Sequence, residues 1–187
     1  MGAALNTMSK TFETNRIILK SPSLEYIEIL QGAIAESIPD LKVWLKWAQQ
    51  TPSLNECAEN INNAIEAFHN QKDLQFYIFT KESNILIGCA GLHRIDWSVP
   101  KVEIGYWVRT SYQGQGYATE VSQLLTELAF DKLEVNRVEI RCDDNNIRSK
   151  SVAKKLGFIL EGVLRNDTLT PDGKLRNTAV FSRVKYD

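Results

Sequence analysis

Histidine occurs twice and cysteine three times in 187 residues. The two histidines, His69 and His93, lack ligand spacing and no CxxC pair accompanies them, so the pattern describes no metal centre. Cys57, Cys89 and Cys142 are odd in number and far apart. That excludes a disulfide framework and suits a reduced, cytoplasmic protein. Neither sign of charge dominates: 22 Lys and Arg against 23 Asp and Glu leave a net charge of -1. No whole-molecule basic field therefore argues for nucleic acid. No run approaches the ~20 apolar residues of a membrane helix. Met1 to Lys10 lack the apolar centre of a signal peptide. Asn6 stands where myristoylation of Gly2 needs Ser or Thr. No repeat, low-complexity tract or Gly/Ser/Pro-rich linker divides the chain.

What is there is an ordinary globular mixture, 43% hydrophobic and 24% charged, long enough for one sizeable core. Residues 1–12 read as a flexible polar tail and 13–187 as one domain. Periodicity predicts a strand at Arg16–Lys20 and a helix capped by Ser23 and running to about Ile34. It predicts a second helix near Leu41–Gln49 carrying Trp44 and Trp47, and a third, opened by Ser53, over about Leu54–His69. The period then changes. Strands are predicted at Leu74–Thr80, Ile85–Ile95 and Val102–Val108, followed by a helix over Gly116–Lys132. A strand at Arg137–Cys142, a helix at Ile147–Leu156 and strands near Ile159–Arg165 and Arg176–Val184 complete a mixed sheet with helices on both faces, an α+β or α/β domain.

Tyr106 to Glu120 is the most informative segment. A strand enters a turn holding Gly114 and Gly116, and a helix follows with Ala118, Val121, Leu125 and Leu128 as its apolar stripe. The first turn of such a helix offers unpaired N–H groups and the positive end of the dipole. Glycines without Cβ let a ligand approach the backbone. Gln113, Gly114, Gln115, Gly116, Tyr117, Ala118 and Thr119 thus read as a pyrophosphate cradle built from main-chain amides. It is not a P-loop, because GKS or GKT is missing, and with two glycines it is not GxGxxG.

The spacing Gln113-x-x-Gly116-x-Ala118 resembles the acetyl-CoA motif of the GNAT superfamily, Q/R-x-x-G-x-G/A. Glu103-Ile104-Gly105-Tyr106-Trp107-Val108 resembles the E-I-G-Y-W strand of the branch that acetylates ribosomal-protein N-termini at alanine or serine. So do Asn136-Arg137-Val138-Glu139, the series Asn146, Ser149, Lys155-Leu156-Gly157-Phe158, Glu161-Gly162, and the opening Thr14-Asn15-Arg16-Ile17. The matches run in order over residues 14–185. The resemblance implies a mostly antiparallel sheet of about six or seven strands, splayed between the fourth and fifth, with acetyl-CoA as cosubstrate in the splay and no metal. It implies an acyltransferase that moves acetyl directly to an amine, for this branch a protein N-terminal α-amine. It also admits a homodimer.

Such transfer needs a base for the ammonium and an acid for the departing thiolate. Glu103 shares a strand face with Gly105 and Trp107 and is the expected base, acting through water; an exposed strand carboxylate is the alternative. His93 is a second candidate base or a structural histidine. By resemblance, Ser149 protonates the sulfur, because Phe158 offers no hydroxyl there, though helix capping is the plainer serine role. By resemblance also, the backbones of Trp107 and Val108 bond the pantetheine arm, and Asn146 bonds its amide; a helix N-cap suits Asn146 equally. Trp44 and Trp47 fall where the family places its acceptor pocket, although core packing fits their helical spacing. Two alternatives stay open: a small-amine acetyltransferase acting on a polyamine, amino sugar or antibiotic, and an acyl-CoA-binding protein without catalysis.

Overall fold

The computed structural model describes residues 9–186. Residues 1–8, with most of the expected tail and the Gly2 and signal-peptide readings, lie outside the described residues. The elements are β1 (Thr11–Glu13), β2 (Ile17–Lys20), α1 (Ile27–Leu41), α2 (Leu54–His69), β3 (Leu74–Thr80), β4 (Leu86–Asp96), β5 (Lys101–Val108), α3 (Tyr117–Glu127), β6 (Arg137–Asp143), α4 (Ile147–Lys155), β7 (Ile159–Leu169) and β8 (Leu175–Val184). The strands form one sheet in the order β1-β2-β3-β4-β5-β6-β8-β7.

Every neighbouring pair is antiparallel except β5 and β6. Those two meet only at Lys101–Arg137, Val102–Val138 and Glu103–Glu139. Beyond Glu103 they part, and the β6 side of β5 has no strand beside it from Ile104 to Val108. This is the splay expected between the strands at 102–108 and 137–142.

Alternation along the strands divides the core in two. Phe76 and Ile78 of β3, Ile104 of β5 and Val138 and Ile140 of β6 face α3, where Val121 and Leu125 meet them. Tyr77 and Phe79 face the other way, against Leu30 and Ile34 of α1 and Ile61 of α2. The first core also holds Phe181, fully buried; truncating such a residue to alanine costs about 3–5 kcal/mol. α2 begins with a complete capping box, Ser53 and Glu56 each bonding the other's backbone. Losing such a cap costs about 1 kcal/mol.

Several expectations change. The strand count is eight among the described residues, because Thr11 and Phe12, expected in the tail, pair with β2 and Phe12 packs edge-on against Phe76. Ser23 caps a single 3₁₀ turn, Leu24–Tyr26, from which α1 departs. α1 runs seven residues past the expected end at Ile34, to Leu41. The buried stripe continues through Ser37, whose polarity hides it: Ser37 Oγ donates to the Ala33 carbonyl at 2.7 Å. Pro39 deprives the helix of one N–H donor, and α1 ends two residues later. The separate helix expected near 41–49 does not form: Leu41 ends α1 and 42–49 is a series of turns. The helix expected to reach Lys132 ends as α3 at Glu127 and passes into a π turn, Leu128–Lys132.

Candidate active site

β5 delivers the chain to the cradle through a short 3₁₀ turn at Thr110–Tyr112. Gly114 and Gly116 lie at φ 74° and 85°, a region L side chains rarely adopt. Gly116 is the N-cap of α3 and has no side chain to cap it. Consequently the amides from Gly114 to Thr119 have no hydrogen-bond partner among the described residues. That open run of donors at a helix start suits a pyrophosphate. Gln113 is the exception. Its N–H donates to Thr110 O at 3.1 Å, and its side chain is a bolt. Nε2 donates to Val108 O at 3.1 Å and Oε1 accepts from Arg148 at 2.8 Å.

The opening Thr14-Asn15-Arg16-Ile17 packs here. Arg16 Nε donates to Glu120 Oε2 at 2.7 Å, and Nη1 donates to Gln115 O at 3.1 Å. The Arg16 guanidinium lies 4.6 Å from the Tyr117 ring centroid, and the Thr14 hydroxyl donates to Glu120. Glu120 lies in the first turn of α3, where an acid complements the dipole, and through it the turn between β1 and β2 holds the cradle.

On the α3 side of the splay, Ser149 and Tyr106 join. Ser149 Oγ lies 3.0 Å from the Tyr106 hydroxyl. Asn146 Oδ1 accepts from Ser149 N at 3.0 Å, so Asn146 is the cap of α4 and the Ser149 hydroxyl is left for other work. Burial pushes the Tyr106 pKa up to about 12, with the Ser149 hydrogen bond opposing it. Tyr106 therefore stays a proton donor at neutral pH. Burial also raises the thiol of nearby Cys142, which keeps it neutral.

The opposite face of β5 carries Glu103, Gly105 and Trp107. Glu103 is the last residue of β5 paired with β6, and its side chain is 18% exposed. Burial raises its carboxyl pKa, while Arg94, Arg141 and His93 pull it back. Arg94 Nη1 stands 3.4 Å from Oε2, near enough for attraction but not aligned for a hydrogen bond, so Oε2 is buried and unpartnered. His93 faces Glu103 across the strands. Its Nδ1 lies 2.6 Å from Asp73 Oδ2, and its ring covers Gly105, where a Cβ would come within 2.8 Å of Cδ2.

His93, Trp47 and Trp107 line a groove of about 680 Å³ between the sheet and α1 and α2. Trp47 is 54% exposed and meets Trp107 edge-on, with centroids 6.3 Å apart. It is a wall of the groove and not a core residue, because the helix expected to bury it does not form. Trp44 stands apart from the groove; its carbonyl accepts from Arg176 at 3.1 Å. Among the described residues, no group of three or more His, Cys, Asp or Glu is placed to hold a metal ion, and no helix is long and apolar enough to cross a membrane.

The sequence reading missed Tyr106, Asp73 and the arginines about Glu103. Tyr106 was within reach, since a residue of opposite parity to Glu103 must face α4. The others come from distant strands and loops.

Residues 16–159 match the acetyltransferase (GNAT) domain family. Over 178 residues the chain is 29% identical to the uncharacterized N-acetyltransferase p20 of Bacillus licheniformis, covering 95% of this chain and 98% of that one. It is 32% identical over 127 residues to the ribosomal-protein-serine acetyltransferase of Escherichia coli, covering 66% and 70%. The fold superposes with a TM-score of 0.86 on the microcin C7 self-immunity acetyltransferase MccE, solved with acetyl-CoA and AMP, at 26% identity over 91% of this chain and 93% of that one. A splayed mixed sheet, an open amide cradle at α3 and a match over most of the chain define an acyltransferase. The chain belongs to the GNAT family of acetyl-CoA-dependent N-acetyltransferases.

Proposed function

We propose that this enzyme transfers the acetyl group of acetyl-CoA to the α-amine of a peptide or protein N-terminus. The observation that carries this reading is the division of labour across the splay: hydroxyls on one face of β5, a buried carboxylate on the other. The amides of Gly114, Gln115, Gly116, Tyr117, Ala118 and Thr119 would hold the pyrophosphate, and the unpaired edge of β5 at Trp107 and Val108 would take the pantetheine arm as an added strand. Asn146 would orient α4 beside that arm. The bound thioester supplies an activated acetyl group.

The chain's own residues handle the protons. Glu103 accepts a proton from the incoming ammonium through water. Ser149 gives its proton to the departing sulfur and is replenished through the hydrogen bond it shares with Tyr106. The amine nitrogen gains the carbon–nitrogen bond as the carbon–sulfur bond breaks. A groove of 680 Å³, walled by the exposed Trp47, has room for the chain that follows the amine, and the 32% identity to a ribosomal-protein-serine acetyltransferase supports that acceptor class. The same family contains enzymes with other acceptors, so the test is a turnover screen. Peptides with free N-termini should be acetylated and polyamines and aminoglycosides should not. Turnover confined to the small amines would overturn the N-terminal assignment.

A further inference from the structure

Three arginine–carboxylate pairs meet around a second cavity, of about 320 Å³, which Glu103 lines together with residues of β6, β7 and β8. Arg94 stands 3.4 Å from Glu103, Arg141 3.4 Å from Asp167, and Arg176 3.7 Å from Asp143. Charge-assisted bonds are normally ~2.7–2.9 Å. This chain makes them that tight elsewhere: Arg109 to Glu36 at 2.6 Å, Lys150 to Asp144 at 2.6 Å. The cavity pairs are loose, and their hydrogen-bonding capacity is only partly used. Glu103 Oε2 and Arg176 Nε are both buried with no hydrogen-bond partner. An open donor and an open acceptor therefore line one cavity, a costly arrangement unless something completes it.

The backbone is bent to build this arrangement. β4 breaks register between His93 and Asp96, and Arg94 there adopts φ 48°, which is unfavourable for a side chain of its kind. β7 breaks register between Leu164 and Thr168, with Asn166 at φ 51°. Bulges beside active sites re-aim side chains. The first brings Arg94 to Glu103, and the second brings Asp167 to Arg141. Two separate irregularities thus converge on one cavity, which Glu103 also lines.

We propose that this cavity recognises a carboxylate that the acceptor carries within a few bonds of its reacting amine. The ammonium faces Glu103 Oε2. The acceptor's carboxylate takes the Arg176 Nε–H and the loosely held Arg141 guanidinium. A neutral or purely cationic acceptor leaves both arginines as they are. The inference rests on the acetyl-transfer reading above and narrows its substrate class to N-termini with an acidic residue at the first or second position.

The test is initial rates of the intact enzyme at saturating acetyl-CoA with paired peptides, identical except for Asp against Asn, or Glu against Gln, at the second position. The acidic member should have a kcat/KM about tenfold higher or more, largely through KM. Arg141→Gln and Arg176→Gln should bring the ratio to within about twofold. CoA affinity, measured by calorimetry, shows that each variant is folded; if Arg176→Gln fails to fold, the wild-type ratio and Arg141→Gln decide. Equal rates for both members, or a neutral preference, overturn the subsite and leave acetyl transfer standing. A ratio that survives both substitutions assigns the preference to other residues and overturns the subsite too. Failure to acetylate any peptide overturns the transfer reading itself and the subsite with it.

Discussion

Ser149 Oγ lies 3.0 Å from the Tyr106 hydroxyl, and the Ser149 amide is held by Asn146 at 3.0 Å. The serine is thus fixed at its backbone and connected at its side chain. Ser149→Ala should lower kcat by ~10²–10⁴-fold, the reach of general acid catalysis, with CoA affinity largely kept. Tyr106→Phe should lower it less. The double variant should fall little below Ser149→Ala, because partners in one network are not additive. Steady-state kinetics with calorimetric CoA titration check all three. A fully active Ser149→Ala enzyme removes the serine from catalysis.

The pH dependence should follow Glu103. Its pKa is raised, mainly by burial, and it must be ionised to accept a proton. The rate with a peptide acceptor should climb with pH through a limb displaced above the ordinary carboxylate range. Glu103→Gln should lose that limb. Raising the pH should restore part of its rate for an α-amine, whose reference pKa is ~7.7–8.0, but hardly for a polyamine at ~10.4. Superimposable profiles for wild type and Glu103→Gln would make Glu103 a spectator and leave His93, with Asp73 on its Nδ1, as the base.

Glu103 also has a stability signature. A carboxyl whose folded pKa is raised contributes stability below its unfolded pKa and loses it as pH rises through the folded value. At neutral pH, Glu103→Gln should therefore melt no lower than wild type, as scanning calorimetry can show. A clear drop in Tm would mean that the Arg94 contact outweighs burial.

Gly116 tests the cradle. Gly116→Asp forces a side chain into a left-handed position at φ 85° and sets a negative charge among the amides proposed to hold the pyrophosphate. CoA binding should be lost in calorimetry while circular dichroism stays native. Unchanged affinity would place the pyrophosphate elsewhere.

Arg137 and Glu161 test the architecture. Arg137 donates to Glu161 at 2.6 and 2.5 Å and to Glu139 at 2.8 Å, and Ser182 donates to Glu161 at 2.8 Å. The Arg137 hydrogen bonds, with Ser182, pull the Glu161 pKa down to about 2. A depressed carboxyl contributes stability above its unfolded pKa of ~4.3 and loses it as pH falls through the folded value. Glu161→Gln should cost at most about 1 kcal/mol at pH 7, since the pair is half exposed and screened. Urea unfolding should show the gap closing between pH 4 and about 2. A gap unchanged with pH would assign the loss to packing.

The elements with strong local signals were readable from the chain. α2 carries both its capping box and its stripe, and begins and ends at Leu54 and His69 as expected. The Gly114–Gly116 turn was equally plain, because glycine spacing before an apolar stripe is a local pattern. Ser37 and Pro39 hid the end of α1, since a buried serine bonded to its own helix looks like a surface residue. The segment at 41–49 has helical spacing of its tryptophans without helical surroundings, and tertiary context decided against it. The setting of Glu103 was not readable at all. Arg94 comes from a bulge in β4 and Arg141 from β6, with Arg176 of β8 lining the same cavity, and no window of sequence contains them together. Arg137, Glu139 and Glu161, which carry part of the family resemblance, tie β6 to β7 and work as scaffold.

Arg16 reaches Glu120 across 104 residues. The cradle is therefore not a local loop that closes by itself. The loop that this pin closes contains both early helices and the β3–β5 meander. Such distant contacts form slowly, because loop closure must precede them. By mass action, a ligand that binds only the finished cradle stabilises everything the pin depends on. Acetyl-CoA would then protect β2, an element near the far edge of the sheet, from opening. Hydrogen exchange at Ile17–Lys20 should slow as the cosubstrate is added, although no atom of it need touch that strand.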